Sequence, residues 1–163
     1  SAPLAPRDID LRGANLQGFE LQHLRFEKAL FIGARLEGTE LYEAHLAGAD
    51  LLAAHLEGAD LFEAHLEGAD LEKAHLDDAT VLTGASLRGA AVRYVDETTI
   101  AQLRPVWADI FADGSVPVPL DDPDRPAHWP RQKLDLETFR HKWRKWRANP
   151  DGYTPPDPPD TAG

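Results

Sequence analysis

The sequence predicts an all-β solenoid, a chain coiled into a square shaft, with a small α-helical C-terminal appendage. Three observations predict it. From Leu11 to Val81 a large apolar residue occupies every fifth position: Leu11, Leu16, Leu21, Phe26, Phe31, then Leu at each fifth place from 36 to 76, and Val81. Two residues before most of these stands Ala, at 14, 29, 34, 44, 49, 54, 59, 64, 69, 74 and 79. After Tyr94 the beat stops, and 11 of the 13 prolines lie from residue 105 onward.

Period five excludes the regular alternatives. Ala, Leu and Glu favour helix, yet a step of five residues advances about 140° around a helix, so no face would stay apolar. A strand alternates sides with period two, and an odd step would throw successive leucines to opposite faces. A chain that turns a corner every five residues satisfies the pattern. Four such sides close a coil of twenty residues, with each Leu and the small residue before it pointing inward. After Gly84 one extra residue is expected to shift the phase, with Ala85-Ser86-Leu87 and Ala90-Ala91-Val92 continuing it, so that the block covers residues 9–94.

The strings Ala49-Asp50-Leu51, Ala59-Asp60-Leu61-Phe62-Glu63 and Ala69-Asp70-Leu71-Glu72-Lys73 resemble the A(D/N)LXX signature of the pentapeptide-repeat family. That resemblance covers about half the chain and implies a right-handed quadrilateral β-helix. Phe19 and Leu24 depart from the signature by replacing the small inward residue, which predicts irregular first coils.

With twenty residues per coil, positions twenty apart stack about 4.8 Å apart, like adjacent strands. One outward face is then expected to carry Tyr42, Phe62 and Leu82 beside Glu20, Glu40 and Asp60. The opposite face carries Ile32 and Leu52 beside Asp50 and Asp70. Rows of outward apolar side chains mark contact surfaces, so Ile32, Tyr42, Leu52, Phe62 and Leu82 form the candidate contact surface. The C-terminal segment of the chain, a partner protein or a second copy are the occupants to be distinguished.

The remaining faces carry Glu37, Glu57 and Asp77, or Glu27 and Glu67, with His55 over His75 and His45 over His65. Stacked imidazoles invite a metal hypothesis, which Glu57, Asp77 or Glu67 would assist, but no third ligand is compelled and the sequence assigns no metal. Protonation of all seven His near pH 6 would cut the net charge from −11 to about −4, which predicts pH-sensitive solubility. Within the family, proteins that protect DNA gyrase from quinolones resemble a negatively charged DNA rod. This chain shares the repeat and the sign of charge, but His fills many slots that a phosphate mimic would give to acid.

Beyond the repeats, Asp96-Glu97-Thr98-Thr99 is expected to start a capped helix running into Ile100 and Leu103, and Pro105 to open a second one ending at Phe111. Residues 113–131, with five prolines, read as an extended strap. Asp135 caps a clearer helix in which Leu136, Phe139, Trp143 and Trp146 share one face and Arg140, Lys142, Arg144, Lys145 and Arg147 surround it. A solenoid needs its terminal coil covered, so this is the candidate capping helix, expected to cap or pack on the solenoid with its basic side against the acidic faces, and with Trp107, Phe111 and Trp129 adding bulk. The rival reading is a basic, Trp-rich helix lying on an anionic membrane. Residues 95–150 thus form the appendage, 1–8 a disordered lead, and 151–163 a disordered Pro-rich tail.

Composition sets the outer limits. The excess of 28 acidic over 17 basic side chains argues against a nucleic-acid partner. Absence of Cys excludes disulfides and thiolate catalysis, and no apolar run is long enough to span a bilayer. Ser1-Ala2-Pro3 is no signal peptide, and the missing initiator Met suggests sequence trimmed from upstream. Bacterial members of the family sometimes carry membrane spans outside their repeats. A cytoplasmic location, or the cytoplasmic face of a membrane, is therefore expected. No phosphate loop, nucleophile elbow or metalloprotease motif occurs, so no catalytic or cofactor residue is assigned. The reading is a non-enzymatic scaffold working by protein–protein contact or self-association, with a membrane-associated module and a DNA-mimic regulator of a topoisomerase as alternatives.

Overall fold

The computed structural model describes residues 9–154. The expected lead, 1–8, and the tail from 155 onward lie outside the described residues.

The repeat folds because each pentad closes the same tight turn. The amide of each inward small residue donates to the carbonyl of the large residue three before it, as Ala14 does to Leu11 (3.1 Å) and Ala44 to Leu41 (3.0 Å). The third residue of such turns has positive φ: Gly at 13, 18, 33, 38, 48, 58, 68, 84 and 89, and non-glycine residues such as Glu43, Ala53 and Lys73 at φ 52–57° or close to it. Positive φ at that place alone is the type II turn. Glycine suits it without a steric cost, whereas the side chains at 43, 53 and 73 are held there by the rungs on either side.

Between corners the strands shrink to single residues. Parallel bridges link Asp10 to Leu30, Asn15 to Arg35, Glu20 to Glu40 and Arg25 to His45, and the same four series climb by twenty up to His55–His75. The inward positions from Phe26 to Leu76 are almost completely buried, and with the alternating alanines they fill the shaft. Burial of each such Leu contributes roughly 1.5–3 kcal/mol.

The phase shift falls one pentad earlier than the sequence suggested. Bridges after His75 step by twenty-one: Asp60–Val81, His65–Ser86 and Asp70–Ala91. The extra residue is Asp77, where the turn closes from Thr80 N–H to the Asp77 carbonyl rather than to Leu76. Two expectations fail in consequence. Leu82 turns inward and packs against the core, so it leaves the outward column, while Val81 is exposed rather than central. Ala79 is likewise exposed, and Thr80 takes the inward place, donating its hydroxyl to the Leu56 carbonyl at 2.9 Å.

The far end of the shaft is sealed by the chain itself. Strand β1 (Ala90–Ala91) pairs in parallel with β2 (Ile110–Phe111), so β2 is the last rung. Between them run α1 (Glu97–Gln102), capped by the Asp96 side chain on Thr99 N–H, and a 3-10 helix, Arg104–Asp109. The second helix is thus tighter than expected and ends before Ile110, which joins the ladder. Ile100, Leu103, Trp107, Val116, Val118 and Trp129 plug the shaft.

Polar groups left by the last rungs are also met. The Ile110 carbonyl accepts from Trp129 Nε1 (2.9 Å) and pairs with His128 Nε2 (2.7 Å). Gly114 N–H donates to the Gln132 carbonyl, and the Thr99 hydroxyl accepts from Leu76 N–H. A buried backbone group without a partner would be costly, and these side chains do what a further coil would do.

Helix α2 (Leu136–Ala148), capped by Asp135 on Thr138 N–H, packs on the solenoid rather than over its end. It lies along the side of the shaft: Phe139, Trp143 and Trp146 form a separate cluster with Ala91 and Phe111. Trp143 Nε1 donates to the Gly89 carbonyl at 2.7 Å, and Arg147 covers Gly68 and Gly89. Leu136 does not share the buried face and is 45% exposed. A buried ion pair, Arg93 with Asp113, ties the last rung to the segment before α2, Arg93 donating to the Leu134 carbonyl and Asp113 accepting from Leu134 N–H. Tyr153 meets Phe111 edge-on, so the tail is packed at that residue rather than disordered.

Candidate interaction surfaces

The corners divide the solenoid surface into four flat faces, numbered one to four by the bridge series that start at Asp10, Asn15, Glu20 and Arg25. On the third, Tyr42 and Phe62 stand one coil apart, Phe62 40% exposed and Tyr42 half-buried with its ring T-shaped against His23 at 5.3 Å. Beside them Glu20, Glu40 and Asp60 follow one another up a bridge series, and the column ends at Val81. The expected Tyr42–Phe62–Leu82 row is therefore a pair. On the first face Ile32 and Leu52 are half-buried. Helix α2 packs on Ala91 and Phe111 and the residues before it plug the shaft, while Phe62 belongs to neither cluster.

The first face also carries Asp70, partly buried where α2 approaches. Burial pushes its carboxyl up to about 6 and neighbouring Asp50 and Glu72 add to this, while the Glu72 amide and Arg140 of α2 work against it. Trp143 and Trp146 are turned into the protein. The reading of α2 as an interfacial helix is corrected accordingly, since the aromatic face that insertion needs is already buried. Among the described residues no helix is long and apolar enough to cross a membrane.

The histidine stacks form as the twenty-residue register requires: His45 over His65 with centroids 4.8 Å apart, and His55 over His75 at 4.7 Å, each pair within 8° of parallel. Between the third and fourth faces the sequence reading missed a groove of about 460 Å³, lined by His23, Glu43, His45, Glu63, His65 and Gly84. His23 Nδ1 lies 2.8 Å from Glu43. His23, Glu43 and Glu63 are corner residues, and only their stacking against the neighbouring face's bridge residues would have revealed the groove.

Comparison with known proteins decides the family. The pentapeptide-repeat model matches residues 9–46 and 39–78 in 8 copies. A pentapeptide repeat protein from Nostoc PCC 7120 of known crystal structure is 32% identical, with a TM-score of 0.50, over 57% of this chain and 79% of that one. The chain belongs to the pentapeptide-repeat family. Within the family, Rfr23 from the cyanobacterium Cyanothece 51142 is 34% identical with a TM-score of 0.51, and the match covers 56% of this chain and 59% of that structure's length. QnrB1, a plasmid-mediated fluoroquinolone resistance protein, is 14% identical with a TM-score of 0.31 over 85% of this chain and 83% of that one, too distant to bear on function. No curated protein matches the chain. Pentapeptide-repeat proteins are generally structural or interaction proteins.

Proposed function

We propose that this protein is a non-enzymatic scaffold that engages a protein partner, or a second copy of itself, through the third face of its solenoid. The observation that carries this reading is Phe62, 40% exposed beside Tyr42 on a flat face that the described C-terminal segment leaves open. An exposed aromatic anchor on a rigid support is the kind of feature on which binding energy concentrates. Rigidity follows from the rungs: the pairs 42–43 and 62–63 are each hydrogen-bonded to the coil on either side.

The DNA-mimic reading has less behind it. The carboxylate column on the third face stops at Val81, and the bridge positions of the second and fourth faces hold no carboxylate, only Asn15, Arg35, His55, His75 and Arg25, His45, His65, Ser86.

Sedimentation velocity of the full chain, with Phe62→Ala and Tyr42→Ala beside it, tests the proposal. If the third face joins two copies, Phe62→Ala weakens the association tenfold or more with an unchanged melting temperature. If the partner is another protein, a photocrosslinking residue at position 62 captures one species that Tyr42→Ala no longer captures. Neither association nor a specific adduct at 62 overturns it.

A further inference from the structure

The second face holds a group of side chains that scaffolding does not use. Glu57 stands one coil above Glu37, and His55, two residues before Glu57, stacks beneath His75. One donor atom from each of Glu37, His55 and Glu57 lies within 4.8 Å of the other two. Glu57 Oε1 is 3.2 Å from His55 Nδ1, and Glu37 Oε1 is 3.1 Å from Arg35 Nη2. The second oxygens have no such partners: Oε2 of Glu37 and Oε2 of Glu57 are sealed from solvent and accept no hydrogen bond.

Two carboxylates stacked at a rung spacing repel each other, and an acceptor shut off from water without a donor is unfavourable. Single-residue bridges force that proximity, because the register fixes Glu57 over Glu37. Arg35 answers one oxygen of the lower carboxylate. A single cation lodged between the two orphan oxygens would relieve both.

We propose that Glu37, His55 and Glu57 bind a divalent first-row transition ion of the zinc type. The donor set argues for that class: an imidazole nitrogen suits zinc and its neighbours, whereas calcium and magnesium call for six or more oxygens. Donors around a tetrahedral ion at about 2.0–2.2 Å sit roughly 3.4 Å apart. The three side chains therefore draw inward from their present spacing, which their half-exposed positions permit. His55 coordinates through Nδ1 with its proton on Nε2, Arg35 holds Glu37 from the other side, and water completes the shell. Asp77, one coil higher, is not part of the set: its Oδ1 is taken by the Gly58 and Ala79 amides, and the atoms within 4.8 Å of one another come from Glu37, His55 and Glu57.

Calorimetric titration of the full chain with zinc chloride at neutral pH tests the site, with cobalt absorption reporting the geometry. One saturable site is expected, indifferent to millimolar magnesium, with its affinity reduced at least tenfold in His55→Ala and in Glu57→Gln. The double variant His45→Ala/His65→Ala, which removes the stack on the fourth face, should bind as before. Glu57→Gln is nearly isosteric and its circular dichroism should match the parent, so it decides the matter if His55→Ala folds poorly. Binding lost in the His45/His65 variant instead, binding unaffected by Glu57→Gln, or no saturable uptake would overturn the proposal. It does not depend on the third-face reading, and either can fail alone.

Discussion

The Asp77 carboxylate accepts the Gly58 amide at 2.9 Å, in the position that a main-chain carbonyl holds one coil earlier, where Gly38 N–H donates to the Glu57 carbonyl. A side chain thus completes the rung that the inserted residue would otherwise break. The same carboxylate accepts from Ala79 N–H, so one residue both causes and repairs the dislocation.

That relationship predicts an order of stability, parent above Asp77→Asn above Asp77→Ala, since the amide oxygen keeps a weaker acceptor and alanine keeps none. The Gly58 amide first, then the Ala79 amide and the hydroxyl and amide of Thr80, hold the Asp77 carboxyl below its usual range against the opposing effect of burial. A depressed folded value contributes stability that is present above the unfolded pKa and lost as pH falls through the folded one. Thermal melts should therefore separate parent from Asp77→Asn at pH 7 and converge below about pH 4.

Asp70 behaves in the opposite sense. Its folded value of about 6 lies above the ordinary 3.8, so the folded state binds the proton more tightly. Stability should fall as pH rises from about 4 to 6, and the cost persists at higher pH. Asp70→Asn keeps an oxygen for the Glu72 amide and removes the charge. Denaturant unfolding should show it more stable than the parent at pH 7.5, by about 2 kcal/mol, with the difference vanishing near pH 4.

Asp113→Ala should be among the more damaging substitutions outside the shaft. It would leave the Arg93 guanidinium, buried between the last rung and α2, without its counter-ion, and would strip the Leu134 and Ser115 amides of their acceptor. Removing one partner of a buried pair costs about 3–5 kcal/mol. Chemical unfolding should register a loss of that order.

Trp143 is the hinge of the side-packed helix. Trp143→Phe loses the bond to the Gly89 carbonyl and should cost about 1 kcal/mol. Trp143→Ala should cost roughly 3–5 kcal/mol. Hydrogen exchange should locate the loosening in residues 134–148, with the coils up to Leu71 unchanged. Co-sedimentation with anionic vesicles, unaffected by either variant, is the corresponding negative result.

The shaft was legible because its cause is local and repeated: one inward leucine and one small residue per corner. The dislocation was misplaced because Val81 and Leu82 are both apolar, and five-residue counting accepts either. Only the acceptor for Gly58 distinguishes them, and that is a contact across a coil. A capped start for α1, and Asp135 as the cap of α2, were readable from neighbours in sequence. The seat of α2 was not, since it depends on Ala91 and Phe111 presenting an apolar patch where earlier coils present Asp50 and Asp70. Leu136 matched the helical spacing but falls in the first turn, beyond the edge of that patch. The stacked histidines followed from arithmetic, whereas the orphan oxygens of Glu37 and Glu57 needed side-chain geometry.

The corner at Asp77 also says how a molecule like this can change in length. A stray residue in the middle of a flat side would reverse the in-and-out order of everything after it. Lodged at a bend and stitched down by its own carboxylate, it leaves Leu82 and Leu87 facing the axis. Chains of this design can thus drift by single insertions or deletions at their bends while the cross-section stays fixed, and whole storeys can be added without retuning those already built.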